Sequence, residues 1–254
     1  MHSRLQRWIR RIGARTRPPG KSRALGLGLI AMLACTSVSA VTETGESAAS
    51  AGRVDFKHQS ASPEVRRVAL WISGSTNNHG LPYAIVDKVN ARVFVFDAHG
   101  NLQGSAAALL GMARGDRSAQ GIGDRMMSAI RPEDRTTPAG RFKASLDRDV
   151  HGQSILVIDY AASISMHAVV KGTPVERRAQ RLESATSEDN RISYGCINVP
   201  STFYKEIVSP AFAHTFGIVY ILPEMSSASE FFGFHDVAVD SHEQDSPRVR
   251  NDAR

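Results

Sequence analysis

A chain of 254 residues has room for one medium domain with tails or for two small ones, and its formal net charge of +6 first suggests an anionic polymer as partner. Of the 31 basic residues, however, eight lie in residues 1–40 with no acidic residue among them, which leaves 23 against 25 acidic residues over the rest. Without that leader the chain is slightly acidic, which excludes a polybasic surface for DNA or RNA.

The leader has the parts of a secretory signal: a basic start, an apolar core over residues 24–34, and Val38-Ser39-Ala40 as a small-residue cleavage site. The apolar core is shorter than the roughly 20 residues of a membrane span. The expected product is a periplasmic protein with no stable membrane insertion after cleavage. Two other fates are compatible with the sequence: lipidation at Met32-Leu33-Ala34-Cys35, where Leu33 fits the box poorly, or an uncleaved leader serving as anchor. Residues 41–61 are small, polar and charged, and read as a flexible linker. Residues 62–81 read as a helix and turn. Ser62 suits the N-cap and Pro63 the first turn, and Val65, Val68, Ala69 and Ile72 recur at helical spacing before Gly74. This helix is expected to pack as a lid or brace.

From residue 82 the pattern turns to β. Ala84-Ile85-Val86 and Val93-Phe94-Val95-Phe96 read as strands about a turn at Asp87-Lys88-Val89-Asn90, and residues 102–110 continue a meander. Residues 111–135, rich in Gly, Arg and Asp, form a long loop, either a solvated surface or part of a substrate groove with arginines facing carboxylates. Further strands are expected at residues 141–144, 154–160 and 164–170, the last carrying His167 among apolar neighbours. The charged stretch 173–190 reads as a solvated connection with some helix that passes near the cleft. Residues 202–213 read as a helix interrupted near Pro210, and residues 217–222 as a closing strand. The β-rich domain is thus placed at 82–224 and a C-terminal extension at 225–254, whose end is expected to be disordered while Phe231, Phe232 and Phe234 dock. No His/Cys/carboxylate cluster has metal-ligand spacing, so neither metal nor cofactor is expected.

With the leader removed, Cys196 is the chain's one thiol, in Arg191-Ile192-Ser193-Tyr194-Gly195-Cys196-Ile197-Asn198-Val199-Pro200. These residues alone leave a structural cysteine and a nucleophile both open. The run Ser193-Tyr194-Gly195-Cys196-Ile197-Asn198 resembles the Ser-His-Gly-Cys-hydrophobic-Asn/Arg signature of the L,D-transpeptidase (YkuD-type) catalytic domain. Met166-His167-Ala168 supplies an upstream histidine, and Thr136-Thr137-Pro138-Ala139-Gly140-Arg141-Phe142 resembles the family's Thr-Pro-x-Gly-x-Phe segment. The resemblance spans residues 82–223. Tyr194 stands where the family has histidine, Ala168 where it has Gly or Ser, and the gap from His167 to Cys196 is longer than usual.

The resemblance implies a mainly β fold, a β-sandwich or flattened barrel of the L,D-transpeptidase type with a few short helices. It implies a Cys196 nucleophile and a His167 base, with Ser193, Tyr194 and Gly195 as oxyanion or substrate-binding residues. Peptidoglycan stem peptides are the implied donor and acceptor. Hydrolysis of the same bonds and non-catalytic peptidoglycan binding remain alternatives.

Overall fold

A computed structural model of the protein describes residues 54–235. The leader with Cys35, most of the 41–61 linker and the end of the C-terminal extension lie outside these residues. The fold is mainly β, one eight-stranded sheet curled almost into a barrel, with short helices. Its strands are β1 (Tyr83–Asp87), β2 (Arg92–Phe96), β3 (Leu102–Ala107), β5 (Gly140–Arg148), β6 (Ser154–Asp159), β7 (Ile164–Ala168), β9 (Ile197–Val199) and β10 (Gly217–Ile221), in the order β3-β2-β1-β10-β5-β6-β7-β9. A second, two-stranded sheet pairs β4 (Leu110–Gly111) with β8 (Arg191–Ser193).

Period-two alternation decides which side chain meets which core. On β1 and β2, Ala84, Val86, Val93 and Val95 face the barrel interior with Ala144, Leu156, Met166 and Val219. Tyr83, Ile85, Phe94 and Phe96 face the other way. On these two strands the interior takes small and branched side chains and the outer face takes the aromatics. The strands are buried on both faces, which is why β1 and β2 read as nearly continuous apolar runs.

The convex face is covered by α1 (Pro63–Ser75), capped by Ser62, whose hydroxyl accepts from the Val65 N–H at 3.3 Å. Its buried residues Val65, Val68, Ala69 and Ile72 are those the periodicity indicated, and full burial is worth about 1.5–3 kcal/mol for each of the larger ones. The helix lies over the aromatic side of β1, β2 and β10, so it is a brace. The packed region begins earlier than composition indicated. Phe56, within the expected linker, is buried edge-on to Phe94 and Phe96 at 6.0 and 5.9 Å, because a single aromatic ring outweighs its small polar neighbours. At the other end α5 (Ala228–Phe232) docks, and Phe234 stacks on Trp71 at 4.6 Å, while Phe231 stays exposed.

Closure comes just past β3, where Leu109 and Asn198 exchange backbone hydrogen bonds of 2.7 and 2.9 Å. This splits the expected 102–110 strand, since Leu110 leaves the meander to pair with β8. The helical stretch after β9 is interrupted earlier than expected. It runs as α3 (Ser201–Phe203), a π-helical turn (Tyr204–Val208) and α4 (Ser209–Ala211). Pro210 follows the π-helical turn directly, with Val208 and Ser209 still helical, so its missing N–H falls inside the run and interrupts the ladder there. The charged connection 173–190 holds α2 (Arg178–Leu182) between short 3-10 turns. Among the described residues no helix is long and apolar enough to cross a membrane.

Candidate active site

The parallel pairing of β7 with β9 sets the site: Met166 lies opposite Ile197 and His167 opposite Asn198. Ile164 and Met166 point into the core, so Ser165 and His167 share the partly exposed face, and Cys196, just before β9, lies on that face too. The His167 and Cys196 side chains lie close enough to shift each other's titration. His167 Nδ1 lies 2.8 Å from the Ala168 carbonyl, which can only accept, so Nδ1 carries the proton and Nε2 is the nitrogen left for the thiol. The Ala that replaces the family's Gly or Ser therefore keeps the orienting carbonyl.

The electrostatics favour an ion pair. Burial pushes the Cys196 thiol up, but the hydrogen bond and charge of His167, with donors from Ser165, outweigh it and bring the thiol below its ordinary value. Burial pulls His167 down, Arg178 does so to a lesser degree, and its bond to Cys196 lifts it above the usual imidazole value. A thiolate beside an imidazolium is the nucleophilic form of cysteine.

The turn that presents the sulfur is held from three sides. Gly195 has φ +124°, and a Cβ there would stand 2.8 Å from the Thr136 carbonyl oxygen and 2.9 Å from Ile164. Only glycine fits. Thr137, fully buried, donates its hydroxyl to the Gly195 carbonyl at 2.8 Å and accepts from the Gly111 N–H at 2.8 Å. Ser193 donates its hydroxyl to the Cys196 carbonyl at 2.6 Å and accepts from the Gly195 N–H at 3.0 Å. Asn198 donates to the same Cys196 carbonyl at 3.2 Å.

The Ser193 hydroxyl donates within the turn, and the Gly195 N–H has its acceptor there. The Cys196 N–H has no acceptor among the described residues and is the backbone donor left for an oxyanion. Tyr194 lies under the Arg135 guanidinium, 3.9 Å from its ring centroid, so it ties the long loop to the cysteine turn.

Both flanking segments reach the site. The 111–135 loop touches it through Arg135, and Gly123 packs against Ala161 in the turn before β7. The connection 173–190 passes the cleft as expected, bringing Arg178 within 3.0 Å of Asn198 Oδ1, with Glu176 bound at 2.9 Å on its other side. Sequence reasoning missed Ser165, whose hydroxyl donates to Cys196 Sγ at 3.6 Å, and Arg178, hidden in a run of charge. The signal for Ser165 was its spacing of two before His167 on one strand face. Nothing in the sequence singled out Arg178 from its neighbours.

No family model matches the chain, and no curated protein matches it. Among solved structures, the chain is similar to the LD transpeptidase LdtMt1 in complex with imipenem, with 13% identity and a TM-score of 0.33. The match covers 56% of this chain and 58% of that one, so the chain spans well under two thirds of that structure, and a likeness this distant carries no argument about activity.

Proposed function

We propose that the chain is an exported cysteine acyltransferase, an L,D-transpeptidase acting on peptidoglycan stem peptides. The observation that supports this most is the placing of His167 on β7 beside Cys196, which enters the parallel strand β9 partly open to solvent from a turn that presents the sulfur. The substrate class rests on the resemblance of residues 193–198, 166–168 and 136–142 to that family, and the periplasmic location rests on the leader.

In this reading the Cys196 thiolate adds to the carbonyl carbon of a donor peptide bond, and the Cys196 N–H stabilises the oxyanion. The C–N bond breaks as His167 passes its proton from Nε2 to the departing amine, leaving a thioester. An acceptor amine then attacks the thioester carbonyl, His167 takes the amine's proton, and the C–S bond breaks to restore the thiolate. The Ala168 carbonyl keeps the imidazole in one tautomer throughout.

Incubation of the mature chain with purified muropeptides, with products read by mass, tests the reading. Cross-linked dimers and release of a terminal amino acid are expected, both absent from Cys196→Ala. Release without cross-links makes the protein a carboxypeptidase or endopeptidase using the same pair. Retention of muropeptides without turnover makes it a binding protein.

A further inference from the structure

Among the described residues, the groups converging on Cys196 Sγ are more than the pair accounts for. Sulfur accepts from the Ser165 hydroxyl at 3.6 Å, the longer distance reflecting sulfur's radius. On its other side Sγ lies 3.6 Å from the Ser163 carbonyl, which accepts from the protonated thiol but repels a thiolate. The Ser165 hydroxyl therefore opposes an acceptor two positions earlier. We propose that Ser165 is a further catalytic residue, its hydroxyl donating to Cys196 Sγ and solvating the thiolate alongside His167.

The strand geometry makes this contact obligatory. Ser165 pairs with Val157 on β6, and side chains on one strand alternate, so its hydroxyl emerges on the His167 face. On the neighbouring strand Met166 faces Ile197, which brings Cys196 beside Ser165. A serine here reaches the sulfur without moving the backbone. Its hydroxyl rotor also adapts, donating to the thiolate and releasing it once the sulfur is acylated. In the second half-reaction the same donor receives the departing thiolate, the step at which His167 is occupied with the acceptor's proton.

The inference rests on Cys196 being the nucleophile, and it is separable from the choice of substrate. The charged groups around the sulfur are His167 on β7 and Arg178 with its partner Glu176 on the connection, all unchanged by substitution at Ser165. The test is the pH profile of iodoacetamide alkylation, by intact mass, for wild type, Ser165→Ala and Ser165→Thr, with thermal midpoints alongside. Ser165→Ala keeps the N–H and loses the hydroxyl, so its alkylation midpoint should move up by about half to one pH unit. At mildly acidic pH the rate should fall by about three- to tenfold. Ser165→Thr retains a hydroxyl on a residue suited to strands and should return most of the loss. Superimposable profiles for wild type and Ser165→Ala overturn the proposal. A shift that Ser165→Thr fails to reverse, with all three proteins melting alike, overturns it too. Muropeptide turnover is read separately. Absent turnover with the expected alkylation shift removes the transpeptidase reading and leaves the role of Ser165 standing.

Discussion

Two clusters of charged or polar groups sit at different depths in this fold. Around Lys88, whose side chain is fully buried, the ammonium donates to the Gly115 carbonyl at 2.6 Å, Asp116 at 2.7 Å and the Thr137 carbonyl at 3.1 Å. Glu224 stands 3.5 Å from the same nitrogen and takes Arg191 at 2.6 Å, and Arg114 bridges Glu224 to Glu188. Around Cys196 the groups are fewer, and the cysteine itself is only partly buried. Both clusters shift titrations. A perturbed pKa therefore does not distinguish chemistry from scaffolding here, and the partial exposure of a nucleophilic side chain does. The two are also joined. Lys88 holds the Thr137 carbonyl, and Thr137 holds the Gly195 carbonyl that sets the turn before Cys196.

Breaking the buried cluster should have the largest effect. Lys88→Met leaves Asp116 and Glu224 short of a cation in the interior, and urea unfolding should show a loss of about 3 kcal/mol. Cys196→Ala, by contrast, should leave the midpoint nearly unchanged.

The open pair should answer in reactivity. With His167→Ala the thiolate loses its cation, and alkylation at mildly acidic pH should fall by about ten- to a hundredfold with a midpoint moved upward. Rates that coincide with wild type from mildly acidic to mildly alkaline pH show that no ion pair exists. Replacing His99 or His151, which sit in turns, should change nothing.

Acid sharpens the contrast further. Burial pushes Asp116 up, but Lys88 and the Glu224 and Met225 N–H groups hold it below its ordinary value. Burial likewise raises Glu224, and the Gly115 N–H, Arg191 and Lys88 outweigh it. Carboxylates with depressed pKa values stabilise the fold above the ordinary carboxylate range, and that stability is lost as pH falls through their folded values. Thermal midpoints should therefore decline below roughly pH 5 in wild type and Cys196→Ala alike. Lys88→Met should decline less. The smallest effect belongs to Phe231→Ala, within about 0.5 kcal/mol, because that ring is exposed while its neighbour Phe232 packs near Trp71.

The parts legible in the sequence are those with a local cause. The alternation in β1, β2 and β7, the Ser62 cap and the apolar face of α1 follow from chemistry within a few residues. What stayed hidden depends on partners far along the chain. Lys88 looks like a turn residue until Asp116 and Glu224 arrive, and β4 has only two residues to announce itself. Ser165 reads as a polar residue on a solvent face until β9 is laid parallel to β7. The turn-closing bond of Ser193 was likewise hidden, although a hydroxyl two residues from a glycine N–H is placed to make it.

The position of β10 bears on how the chain folds. Strands β1 to β3 and β5 to β7 are antiparallel runs joined by short turns, units that form from nearby residues. The last strand enters between them, with Ile218 beside Tyr83 on one edge and Lys143 on the other. Until residues 217–221 have been made, β1 and β5 have no strand to join them, and the halves meet through Leu109–Asn198 and β4–β8. Glu224, three residues beyond the strand, has not yet reached Lys88. Contacts of such long sequence separation slow folding, so the rate-limiting event is expected to be the insertion of this final strand. A chain shortened before Gly217 would leave β1 and β5 as open edges, each able to pair with another molecule.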